Sequence, residues 1–147
     1  MTGAGPSRER REVAPGQWRE AAEQARSQGF VAFDWLGAAE DPAGGGLLVR
    51  CHLLAPAPGA VRTLELATTV PDGVMLPSLA SLYAGAAWCE REAAEMLGLV
   101  VDGFEDGTGL GVRPLLLHPG LGLPEHPQRK AVPLAARERT PWPGARG

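Results

Sequence analysis

At 147 residues, 44% hydrophobic and 21% charged, the chain is long enough for one real core and has the composition of an ordinary soluble domain with tails. Its net charge of −3 argues against a broad nucleic-acid-binding face, which needs clustered Lys and Arg. Lysine occurs once, at Lys130, among 14 basic residues; this reads as composition bias rather than arginine-specific chemistry.

Taken in chain order, Met1 to Gly16 is charged and punctuated by Pro6 and Pro15, and reads as a disordered tail without the apolar stretch of a signal peptide. Trp18, Ala21, Ala22 and Ala25 then form a helical stripe that Gly29 ends. Phe30 to Leu36 predicts a strand rich in aromatic residues, and Leu47 to Leu54 a second. On the second strand Leu47, Val49, Cys51 and Leu53 share one face, with Arg50 and His52 on the other. After a turn at Pro56 to Gly59, Val61 to Val70 predicts a third strand with Leu64 and Leu66 inward, pairing with the second as a hairpin. Ser78 is placed to cap a short helix through Tyr83.

Ala87 to Gly98 holds four charged side chains at helical spacing among apolar ones. Cys89, Ala93 and Met96, with Leu97 at the edge, fall on one stripe, and Trp88, Glu92 and Glu95 form the row beside it. Gly98 supplies a left-handed stop. A carboxylate at Glu92, beside the buried stripe, predicts an ion pair with Arg113, Arg129 or Lys130. Leu99 to Val101 and Val112 to Leu117 read as extended. From Pro119 on, prolines at 119, 124, 127, 133, 141 and 143 exclude a helix and suit an extended arm lying on another surface. Acids dominate from Glu90 to Asp106 and bases from Arg129 to Arg146, which predicts pairing between the two or an ordered docking surface.

Several tempting sites dissolve on inspection. Cys51 and Cys89 are far apart and neither belongs to a C-x-x-C, so the chain has no ligand set for an iron–sulfur cluster or a structural zinc. Gly107 to Gly111 is followed by Arg113-Pro114 and not by a helix, so it is a turn and not a nucleotide loop. His118 and His126 each precede a proline on an extended segment and define no metal site. Trp18, Trp35 and Trp88 read as packing residues, and Trp142 as a candidate partner anchor in the tail. No apolar run approaches the roughly 18 residues of a membrane span.

The helix resembles a family signature: Trp88, Glu90, Arg91, Glu92, Glu95, Met96, Leu97 and Gly98 follow, in order, that of the C subunit of NADH:quinone oxidoreductase, respiratory complex I. Downstream, Arg113, the apolar Leu115 to Leu117, and then His126-Pro127-Gln128-Arg129-Lys130-Ala131-Val132-Pro133 resemble the family's second motif. The resemblance spans roughly residues 17 to 134. It departs at Ala131, where the family carries an acid, and at Val132 and Cys89, where it carries aromatics.

The resemblance implies an α+β fold in two layers: a mixed, largely antiparallel sheet with helices packed on one face, over residues 17 to 118. An extended Pro-rich docking arm and tail would follow over residues 119 to 147. It implies a scaffold subunit with no catalytic residues and no cofactor of its own. That subunit would pack against the large D-type subunit and iron–sulfur subunits, its partners carrying iron–sulfur clusters and FMN. The chain would be cytoplasmic and reach the membrane only through partners, and no nucleic acid would bind. The motif residues Trp88, Glu90, Arg91, Glu92, Glu95, Gly98, Arg113, His126, Pro127, Arg129, Lys130 and Pro133 would serve as interface or structural ion-pair residues. Two alternatives stay open: the equivalent small subunit of a nickel–iron hydrogenase or formate/F420-linked complex, and a stand-alone acid/base enzyme using Glu92, Glu95 and His126.

Overall fold

The computed structural model describes residues 8–118, 120 and 122–133. A four-stranded sheet in the order β1-β4-β3-β2 forms the base, from β1 (Arg8–Glu12), β2 (Ala32–Glu40), β3 (Gly46–Ala57) and β4 (Ala60–Pro71). The β2–β3 and β3–β4 pairs are antiparallel, whereas β1 runs parallel to β4. Helices α1 (Trp18–Ser27) and α2 (Ala86–Leu97) pack on one face. A small parallel pair, β5 (Met75–Pro77) with β6 (Val100–Asp102), flanks α2. This is the two-layer α+β arrangement that the sequence implies.

Period-2 alternation decides which face is covered. Leu47, Val49, Cys51 and Leu53 on β3 are buried together with Leu64 and Leu66 on β4, and these rows meet Trp18, Ala22 and Ala25 from α1 and Ala93, Met96 and Leu97 from α2. Trp18 and Phe30 are wholly enclosed. Tyr83 closes the end of this core by donating its hydroxyl to the Phe30 carbonyl at 2.7 Å. Burial raises the pKa of that phenol.

The structure corrects four local expectations. Arg8–Glu12, read as part of a disordered tail, is an edge strand; residues 1–7 lie outside the described set. The sequence hides β1 because Arg-Glu-Arg-Arg-Glu carries no apolar alternation. Its partner supplies the missing reason: Glu65 on β4, only 6% exposed, is approached by Arg8 at 3.7 Å and Arg10 at 3.4 Å. Charges on an edge strand also discourage pairing with other chains. Next, β2 begins two residues later than expected and runs on to Glu40, with an irregularity between Phe33 and Trp35 that leaves Trp35 39% exposed, stacked on His52. Ser78 to Tyr83 makes a single turn and not a helix, closed by the Tyr83 amide on the Leu79 carbonyl at 2.9 Å; the Ser78 hydroxyl does cap it, accepting the Ala80 amide at 3.0 Å while donating to Glu90. Finally, Val112 to Leu117 forms no strand; it is an irregular segment that α2 holds in place.

Glu65→Ala should release β1 without unfolding the core, since pairs with exposed partners contribute only about 0–1 kcal/mol each. Hydrogen exchange should show lost protection at the β1 amides, with β3 amides unchanged.

Candidate functional site

The two sequence motifs form one site. Helix α2 carries Glu90, Arg91 and Glu95, and each of these charged side chains holds a stretch of backbone. Glu90, 2% exposed, accepts the Ser78 hydroxyl and the Leu79 amide, both at 2.6 Å. Burial pushes its carboxyl pKa up, opposed by those two hydrogen bonds and by the charge of Arg19. Removing the carboxylate would strand a buried hydroxyl and a buried amide, each a desolvated group costing about 1–3 kcal/mol.

Arg91 and Glu95, one turn apart, read the backbone of the 113–117 segment with opposite polarity. Arg91 donates to the carbonyl of Arg113 at 3.1 Å and to that of Pro114 at 2.7 Å. The Glu95 carboxylate then accepts the next three amides: Leu115 at 3.2 Å, Leu116 at 2.6 Å and Leu117 at 3.0 Å. Partial desolvation would raise the Glu95 pKa, but the amides of Leu116, Leu117 and Leu115, with the charge of Arg91, outweigh it and hold it below the ordinary range. Arg113 itself turns back to Asp106 at 2.7 Å. The hydroxyl of Thr108, then the guanidinium of Arg113, hold the Asp106 carboxyl down to about 2.

The second motif closes the end of the same helix. A helix leaves its last four carbonyls without intrahelical donors. Here Gly98, at φ 75°, turns the chain and its amide reaches the Ala94 carbonyl at 3.0 Å. His126 Nδ1 lies 3.1 Å from the Glu95 carbonyl, and the Gln128 amide donates to Met96 at 3.1 Å. Arg129 Nε donates to Leu97 at 2.6 Å. All four carbonyls are therefore met, three of them by residues some thirty positions downstream. The guanidinium also sits where the helix dipole favours a cation. It is fixed there by Asp72 at 3.0 Å and, more loosely, Glu40 at 3.9 Å. The Lys130 amide donates to Glu40 at 3.1 Å.

Two backbone details show how tightly the clamp is drawn. His126 has φ 52°, a left-handed conformation made costlier by Pro127 after it. Pro127 starts the turn that the Arg129 amide closes on the His126 carbonyl at 3.0 Å. The imidazole then lies over Gly98, where an added Cβ would stand 3.0 Å from the ring. Only glycine at 98 allows both the positive φ and that approach.

Several expectations for the site change accordingly. Glu92 is exposed and forms no ion pair or hydrogen bond among the described residues, so the predicted pair with Arg113, Arg129 or Lys130 is corrected. Those cations are drawn elsewhere: Arg113 to Asp106, Arg129 to Asp72 and Glu40. Trp88 and Glu92 face away from the core, Glu95 is half-buried, and the buried charges of the helix are Glu90 and Arg91. Trp88, expected in packing, is 64% exposed with the Arg91 guanidinium 5.5 Å from its ring. The bases from Arg129 on are expected to pair with the acids of Glu90 to Asp106 or to order a docking surface; Arg129 instead meets Asp72, Glu40 and the Leu97 carbonyl of its own chain. Pro133 is exposed at the end of the described segment; the pairing expected from Arg137 to Arg146, and Trp142, lie outside it.

An acid/base site does not assemble. Glu92, Glu95 and His126 open onto three different concavities, and the Glu95 oxygens and His126 Nδ1 are occupied by backbone groups. His52 pairs with Asp34 at 2.7 Å, and His118 accepts the Gly120 amide. Burial pushes the Cys51 thiol up, which opposes the thiolate form that metal ligation requires.

Arg129→Ala should destabilise the chain by about 1.5–3 kcal/mol, the range for hydrogen bonds involving a charged group, and Arg129→Lys should recover only part because it cannot fork to Leu97 and Asp72 together. Urea unfolding of the three forms is the check. Glu95 supplies a pH signature. A carboxyl whose folded pKa is depressed stabilises above its unfolded pKa and loses that contribution as pH falls through the folded one. The amide proton shifts of Leu115, Leu116 and Leu117 should therefore titrate together below the ordinary glutamate range, and the step should vanish in Glu95→Gln.

Comparison with known proteins agrees with this geometry. The chain is 34% identical over 83 residues to the NADH-quinone oxidoreductase C subunit of Rhodopseudomonas palustris strain TIE-1, covering 56% of this chain and 36% of that one. It is 39% identical over 75 residues to the NADH-quinone oxidoreductase C/D subunit of a Sulfurihydrogenibium species, covering 51% of this chain and 12% of that one. The chain thus spans about a third of the length of the Rhodopseudomonas relative. In fold it matches a trypsin-resistant fragment of Nqo5, with a TM-score of 0.59 at 20% identity over 66% of this chain and 80% of the fragment. Residues 11–138 match the family described as respiratory-chain NADH dehydrogenase, 30 Kd subunit, and the chain belongs to that family.

Proposed function

We propose that the chain is a non-catalytic scaffold subunit in the peripheral arm of an NADH:quinone oxidoreductase, a complex that passes electrons from NADH to quinone and couples this to proton translocation. The observation that carries the reading is the use made of the motif charges. Glu90, Arg91, Glu95, His126 and Arg129 are all engaged in holding backbone, which suits a rigid spacer. The partners would be the D-type subunit and the iron–sulfur subunits, which would hold the clusters and FMN. The C/D relative, which joins both names in one polypeptide, supports nearness to D. Membrane contact would come through these partners, at the cytoplasmic face; among the described residues no helix is long and apolar enough to cross a membrane. Neither the hydrogenase-type reading nor the stand-alone enzyme gains an observation of its own.

Two measurements test this. An affinity-tagged chain expressed in its own cells should co-purify with a D-type subunit and NADH:quinone reductase activity. The chain purified alone under anaerobic conditions should carry no stoichiometric iron, acid-labile sulfide or flavin. A cofactor bound to the isolated chain, or purification with a hydrogenase large subunit, would overturn the reading.

A further inference from the structure

Trp88 and Glu92 are two signature residues on α2 that make no hydrogen bond or ion pair among the described residues. They stand one turn apart on the exposed side of the helix, and Trp88 leaves 64% of its surface in solvent. An indole that open, touched within its own chain by the Arg91 guanidinium 5.5 Å from its ring, is the kind of group that anchors an interface. It borders a groove of about 650 Å3 whose other walls include Arg91, Glu105 and Arg113. Apolar surface continues from there: Val112, 42% exposed, opens onto a neighbouring hollow that shares Arg91 and Arg113 with the first.

Charge decides what fits. Both cations of this face are already engaged, Arg91 by the Arg113 and Pro114 carbonyls and the Trp88 ring, and Arg113 by Asp106. Glu92 and Glu105 are exposed and form no ion pair among the described residues. The face is therefore an aromatic and apolar centre rimmed by free acids. We propose that the Trp88–Glu92 face of α2 docks a basic segment of a partner subunit, with an arginine or lysine that pairs with Glu92 and lies against the indole. A guanidinium or ammonium satisfies both groups together, through a charge-assisted hydrogen bond and a cation–π contact. An acidic segment would meet Glu92 and Glu105 with repulsion, and a purely apolar one would bury both carboxylates unpaired.

This rests on the scaffold reading, and the experiment separates the two. The tagged full chain is expressed in its own cells as wild type, as Trp88→Ala, and as Glu92→Arg with Glu105→Arg. Glu20→Arg, on the exposed side of α1, is the charge-reversal control. Recovery of the D-type and iron–sulfur subunits is measured with each at low and moderate salt, and each purified chain is melted. Both face variants should lose partner recovery by at least about tenfold, as expected for an interface anchor. The control should match wild type, and all melting temperatures should stay close together because these exposed side chains make weak contacts within the chain. Undiminished recovery by the face variants, or stronger recovery after charge reversal, overturns the inference while leaving the scaffold reading intact. A wild-type chain that recovers no such subunits overturns both.

Discussion

The four carbonyls that end helix α2 are the constraint on which the rest of the structure depends. They point out of the last turn with no intrahelical donors, close to the core residues Met96 and Leu97. Gly98 meets one, and the segment from His126 to Arg129 meets the other three. Because Arg129 also reaches Asp72 and Glu40, the same few atoms tie the helix end to the β2–β3 and β4–β5 connections. The positive φ at His126 is tolerable only because so many contacts define it.

Upstream along the same helix, charge is used to organise irregular chain. Glu90 fixes the turn after β5, and Arg91 with Glu95 fixes five consecutive residues after the glycine-rich loop. The contacts are to backbone, so they impose shape without demanding particular side chains at 113–117. The described domain gains in this way a rigid shell of connections that its short elements would not supply. Rigidity of this kind would suit the scaffold role proposed above. It also makes sense of Glu92, Glu95 and His126, which resemble a catalytic constellation yet open onto different hollows.

Much of the fold was legible in the residues. The alternation of Leu47, Val49, Cys51 and Leu53 placed β3 and its inward face, and Gly98 marked the helix end. The resemblance of the two motifs located the site. What could not be read was which face of α2 each charge occupied in three dimensions. Glu90, seven residues before Leu97, flanks the stripe on one side as Glu92 does on the other, and the pattern of α2 alone did not say which flank the sheet covers. The turn at Ser78 decided the matter by offering Glu90 a hydroxyl and an amide. Strand β1 escaped for a different reason: its stabilising partner, Glu65, lies more than fifty residues away, and no local pattern in Arg8 to Glu12 announces it. Nothing in the sequence of His126 to Arg129 says that the surface it meets is the end of α2.

The central claim is that the second motif and the helix end form one cooperative unit. The Gln128 amide tests it most directly, since its partner is the Met96 carbonyl and its own neighbourhood has no regular structure. Native-state hydrogen exchange should give Gln128 an opening free energy matching that of the Gly98 amide and the last turn of α2, so that the clamp opens only when the helix end does. A Gln128 amide exchanging at the rate of free chain while Gly98 stays protected would contradict the account.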